Sequence, residues 1–120
     1  VLRVVTIRAN WDYARCGAQH HYLLQAVAGR RVIGRAHGWF CPNAAFVLQK
    51  IELVKTHRRR GHGTSLINCL RAQARHHGCT SFRFSGVRRD NADAIRLYQS
   101  MDAVAADGDE YCVDYVIAPL

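Results

Sequence analysis

A chain of 120 residues with 49% hydrophobic content is long enough for one globular domain with a small core, here residues 1–120. Its formal net charge of +8, carried by Arg far more than by Lys, asks for an anionic partner: a phosphate-rich cofactor, nucleic acid or an acidic protein surface. No apolar run approaches the roughly 20 residues that cross a bilayer, and residues 1–7 are too short for a signal peptide. The odd count of five cysteines, without a CxxC pair, argues against both a disulfide framework and a zinc ribbon. A cytoplasmic location and no membrane partner follow as expectations.

In chain order, residues 2–7 (LRVVTI) read as a strand rich in β-branched side chains. Residues 8–19 (RANWDYARCGAQ) show no clear period. Residues 21–28 (HYLLQAVA) and 31–40 (RVIGRAHGWF) read as two strands joined at Gly29-Arg30 in a hairpin. Cys41-Pro42-Asn43 is a turn, and residues 45–54 form the next strand. Residues 65–77 (SLINCLRAQARHH) read as a helix with Leu66, Ile67, Leu70 and Ala74 on one side, Asn68, Arg71 and Arg75 on the other, and Gly78 closing it. Residues 80–87 (TSFRFSGV) alternate as a strand, and a second helix starts at Asp90 or Asn91, either of which can cap it. Residues 111–117 (YCVDYVI) close the chain as a strand. Cys69 and His76 share a helix face, but a free cysteine is more often a small buried hydrophobe, so no metal is expected.

Between the fourth strand and the first helix stands Arg58-Arg59-Arg60-Gly61-His62-Gly63-Thr64. A strand that turns through glycines into a helix N-terminus makes an anion site, because free N–H groups and the helix dipole both favour negative charge. A phosphate or pyrophosphate is the expected ligand. No Lys follows the glycines, which excludes a P-loop, and the third Gly of a dinucleotide fingerprint is missing. Taken alone, the loop reads equally well as an Arg-rich solvated turn.

Arg58-x-x-Gly61-x-Gly63 resembles the coenzyme A pyrophosphate loop of the GCN5-related N-acetyltransferase (GNAT) family, [QR]-x-x-G-x-[GA]. Asn91-Ala92-Asp93-Ala94-Ile95-Arg96-Leu97-Tyr98 resembles that family's second signature, N-x-x-A-[IV]-x-L-Y, and residues 111–117 resemble its closing strand. The likeness spans residues 32–120. It implies an α/β (α+β) GNAT fold: a mixed, mainly antiparallel sheet, with one parallel crossover around the loop and a last strand returning antiparallel. It further implies an acetyl-CoA-dependent N-acetyltransferase that passes the acetyl group directly to an amine acceptor, small molecule or protein.

Carried over residue by residue, the resemblance puts Arg58, Arg59, Arg60, Gly61, His62, Gly63 and Thr64 on the pyrophosphate and Asn91 beside the pantetheine arm. Leu53 and Val54 would pair with that arm through their backbone and offer amides at a strand bulge to the thioester oxygen. Tyr98 would protonate the leaving thiolate, since phenol and alkyl thiol both titrate near ~10. Glu52, the one carboxylate on the central strand, is the first choice of base; His37, His57 or a water chain are alternatives. Gly86, at another position where the family carries a base, cannot serve.

Two departures stand out. The family's two helices between its first and second strands are replaced by residues 8–20, room for one turn of helix or little more, which leaves the acceptor side open or completed by another chain. Asp102 and Ala103 stand where the family has Gly-Phe, which puts the exit of the second helix in question. The alternative to an enzyme is a non-catalytic acyl-CoA-binding or protein-interaction module on the same fold. Nucleic-acid binding is disfavoured because Trp11 and Trp39 lie far from the Arg run. Exposed sheet edges suggest a homodimer.

Overall fold

Apolar residues alternating with polar ones in β2, β3, β5 and β7 bury one face of each strand, and the strands build one seven-stranded sheet. In a computed structural model that describes residues 5–54 and 61–120, the elements are β1 (Val5–Cys16), β2 (Gln19–Ala28), β3 (Arg31–Phe40), β4 (Ala45–Leu53), α1 (His62–His76), β5 (Ser81–Arg88), α2 (Ala92–Ser100), β6 (Val104–Gly108) and β7 (Cys112–Ile117). The strand order is β1-β2-β3-β4-β5-β7-β6. Only β4 and β5 pair in parallel, across the α1 crossover; every other pair is antiparallel. This is the mixed α+β architecture the sequence implied.

One face of the sheet holds the core. Tyr22, Leu24 and Ala26 of β2 lie beside Ala36 of β3 and Phe46 and Leu48 of β4, under Leu66, Ile67, Leu70 and Ala74 of α1. A ladder of rings crosses this face: Tyr22 to Phe46 at 4.9 Å, Phe46 to Phe82 at 5.3 Å, Phe82 to Phe84 at 5.0 Å, and Phe84 to Tyr98 of α2 at 3.9 Å. Both helices therefore pack on the same side. Among the described residues no helix covers the other side.

Residues 8–19 differ from expectation. They form no helical turn; β1 runs on to Cys16, turns at Gly17 (φ 59°) and returns at once as β2. An irregularity between Asn10 and Ala14 places three β1 residues against one on β2, which erases the period-two pattern. Asp12 holds that bulge by donating its amide to Asn10 Oδ1 at 3.2 Å. The segment 104–108 is a further strand not foreseen, an edge strand exposed along its whole length and so without apolar alternation.

The exit of α2 is intact. Asp102 takes the left-handed conformation (φ 67°), its amide donates to Gln99 O at 3.0 Å, and the amide of Ala103 donates to Tyr98 O at 3.1 Å. That is a Schellman closure with Asp in glycine's place, and buried Ala103 fills the packing position. Helix α1 closes in the same way on Gly78 (φ 71°).

Candidate active site

The site forms where β4 and β5 part. Their parallel pairing runs from Ala45/Ser81 to Leu48/Phe84 and stops. Each strand then bends at its own bulge. In β4, Gly38 and His37 of β3 face Leu48 and Lys50, so Gln49 is the extra residue. In β5, Ser85 and Gly86 stand against a single β7 residue, with Gly86 at φ 66°. Asp114 locks this second bulge, accepting from Gly86 N–H at 2.8 Å and from Arg83 at 2.8 Å.

The β4 bulge is held from below. Gly38 has no side chain, which lets the Tyr22 hydroxyl pass over it and donate to Val47 O at 2.8 Å, in the core. A Cβ at position 38 would lie 2.0 Å from that oxygen. The sequence-level placement of the bulge at Leu53 and Val54 is thus corrected to Gln49. Val54 also cannot donate to an added arm: its amide is bound to Ile33 O at 2.9 Å, on the β3 side. By strand alternation the backbones of Ile51 and Leu53 turn the other way, toward the cleft.

The cleft between the strands has a volume of about 380 Å³ and is lined by Gln49, Ile51 and Glu52 on β4, Ser85 and Gly86 on β5, and Asn91 and Tyr98 of α2, among others. Gln49, Ile51 and Ser85 were missed at sequence level. Gly38 was the available signal, because a glycine inside a strand marks a bulge or a close approach.

Tyr98 is 6% exposed, stacked on Phe84 at 17° between ring planes, and burial pushes its phenol above the usual value. It therefore stays protonated through neutral pH. The Asn91 side chain caps α2 by accepting from Ala94 N–H at 3.2 Å, and it lies at the cleft wall. Glu52 is 57% exposed and paired with Lys50 at 2.9 Å. Lys50 first, then Arg35 and His37, hold its carboxyl below the usual range, so it is ionised but a weak base.

Helix α1 begins three residues earlier than its apolar pattern, at His62, after Gly61 in the left-handed region (φ 79°). Its first ladder bond is Ser65 N–H to Gly61 O at 3.0 Å, and the first turn carries no acidic residue and no side-chain cap. The backbone from His62 to Thr64 is thus the dipole-positive end of the helix. Gly63 shows where that end sits: a Cβ there would be in ordinary contact with Leu53 at 3.4 Å and Leu97 at 4.0 Å. The end of β4, the start of α1 and the inner side of α2 accordingly meet. Gly61, His62, Gly63 and Thr64 stand at the start of α1, with Gly63 beside Leu53 and Leu97. Asn91 and Tyr98 share the cleft with Glu52, whereas Leu53 and Val54 line a separate hollow with residues 32–35. Arg58, Arg59, Arg60 and His57 lie outside the described residues. Among the described residues no three His, Cys, Asp or Glu side chains group as a metal site.

A splayed parallel strand pair, with a helix N-terminus at one end and a buried tyrosine in its wall, defines an acyl-CoA N-acyltransferase fold. The sequence model of the acetyltransferase (GNAT) family matches residues 4–102, and the chain belongs to that family. No curated protein sequence matches the chain. Solved structures do: a GNAT family acetyltransferase from Elizabethkingia anophelis with acetyl-CoA bound has a TM-score of 0.74 at 11% identity, over 95% of this chain and 97% of that one. The PaiA N-acetyltransferase of Thermoplasma acidophilum in complex with coenzyme A gives 0.73 at 19%, over 80% of this chain and 59% of that one. The ribosomal-protein-S18-alanine N-acetyltransferase of Escherichia coli gives 0.72 at 19%, over 88% and 72%.

Proposed function

We propose that the protein transfers an acetyl group from acetyl-CoA directly to an amine. The observation that carries this reading is the cleft of about 380 Å³ between β4 and β5, with Tyr98 in its wall. The residues present fit the donor. The first turn of α1 suits the pyrophosphate, with Arg58, Arg59 and Arg60 preceding it in sequence, and the β4 backbone from Gln49 to Leu53 suits the pantetheine arm. When bound, acetyl-CoA supplies an activated thioester carbonyl. Amides at the Gln49 bulge and at Ile51 would stabilise its oxygen as it gains charge. Tyr98, kept neutral by burial, holds the proton for the departing sulfur. Glu52, on the open side of the cleft, takes a hydrogen bond from the incoming ammonium or from water beside it, and solvent carries the proton away.

The uncovered sheet face favours a second reading, a non-catalytic acyl-CoA-binding module. Calorimetry with acetyl-CoA and a thiol-release assay separate the two. Binding with thiol release that depends on an added amine supports the enzyme; binding without release for any amine supports the module; no binding removes both.

A further inference from the structure

The open face carries a band of charge that runs up to the cleft. Strand register places Arg8, Gln25, Arg35 and Glu52 in one row across β1 to β4, and Asn10, Leu23, His37 and Lys50 in the next. Residues directly opposite on neighbouring strands have Cβ atoms about 5 Å apart, so these side chains form one continuous surface. Lys50 and Glu52 also line the cleft, which makes this face the side from which an amine reaches the thioester. Three of the four charged groups are permanent cations. The one carboxylate, Glu52, already faces Lys50 at 2.9 Å, and among the described residues Arg8 and Arg35 have no ion-pair partner. Across the cleft, Arg88 pairs with Asp90 at 2.9 Å and Arg83 with Asp114 at 2.8 Å, so these two cations each have a carboxylate of their own. Among the described residues Lys50, Arg35 and Arg8 have only Glu52 between them.

A polyamine or aminoglycoside brings several ammonium groups and would set them against Arg35, Lys50 and Arg8. An amine with a carboxylate close by meets the reverse situation. Its anion has the planar Arg35 guanidinium as a bidentate partner, with Lys50 beside it, while its ammonium faces Glu52 and the cleft. We propose that the acceptor is an acidic amine, a primary amine whose own side chain carries a carboxylate, as in a free acidic amino acid or a peptide with an acidic residue at its N-terminus. The proposal rests on the acetyl-transfer reading. In the reaction the amine nitrogen bonds to the acetyl carbon as the C–S bond breaks; the nitrogen loses two protons, one to solvent and one that replaces the proton Tyr98 gives the sulfur, leaving amide and free thiol.

The test is a thiol-release panel of glutamate, glutamine, the C-terminally amidated tripeptides Glu-Ala-Ala and Gln-Ala-Ala, and spermidine, run after acetyl-CoA binding has been measured by calorimetry. An acidic acceptor should exceed its neutral counterpart in kcat/KM by roughly tenfold or more. The free-amino-acid and peptide arms show which source is used. Arg35→Glu should abolish the preference and Arg35→Gln should reduce it, both with acetyl-CoA affinity unchanged, and rising salt should weaken it. Equal rates for Glu and Gln acceptors or preference for spermidine would overturn the proposal, whereas binding of acetyl-CoA without transfer to any member supports the non-catalytic module and overturns the acetyl-transfer reading. Failure of acetyl-CoA to bind is seen before any acceptor is added and overturns the underlying reading instead.

Discussion

Packing and the proposed chemistry draw on different parts of the Tyr98 side chain: the ring closes the aromatic ladder on Phe84, and the hydroxyl is the candidate acid. Phe keeps the ring. Tyr98→Phe should therefore lower kcat by roughly 10²–10⁴-fold with little change in the KM for acetyl-CoA, measured by thiol release. Equal rates for variant and parent would dismiss Tyr98 as the acid. At Asp102 the reasoning concerns backbone alone. A non-glycine residue at φ 67° carries the left-handed penalty, so Asp102→Gly should gain roughly 0.5–1 kcal/mol in urea unfolding, with activity unaffected.

The β3–β4 pair controls the site at the scale of elements, because the same contact that closes the core also bends β4 away from β5. Gly38→Ala puts a methyl group 2.0 Å from Val47 O and should cost roughly 3 kcal/mol or more, read from the denaturation midpoint. Tyr22→Phe removes only the hydroxyl and should cost about 1–2 kcal/mol, since the buried Val47 carbonyl loses a partner. Comparable losses in the two variants would contradict this account. Elements with a regular period were legible in the sequence: α1 by its apolar stripe, β5 by Phe82 and Phe84, the start of α2 by Asn91. The glycine-spaced and Asn-led motifs marked the start of α1 and the position of Tyr98 on α2. What was not legible depends on pairing between distant segments. The β1 bulge hides its period, β6 has no buried side chain, and the place of the β4 bulge is fixed by Tyr22 and Gly38 from two other strands.

Across the whole molecule, charge and shape both run to one side. His77 lies at the far end of the sheet, 4.4 Å from Phe40 and 5.2 Å from His76 between ring centres. Burial, then the charges of His76 and His20, holds its imidazole below 6.5. The unfolded chain takes up that proton more readily than the folded one, so the contribution to stability is present above about pH 6.5 and is lost as pH falls through the lowered value. The urea midpoint should drop from pH 7.5 to 5.5, and less so in His77→Gln; parallel slopes would assign the drop elsewhere. The homodimer suggested by sheet edges would use β1 or β6, and light scattering that returns the mass of one chain, 13.5 kDa, would exclude it. The abrupt return of β1 into β2 bears on timing as well as shape. Many transferases must open a flap before product leaves, and that motion sets their turnover. Among the described residues no helix lies over the open face of the sheet, so on the acetyl-transfer reading each cycle should run at the pace of bond making, and viscosity added to the medium should leave kcat untouched.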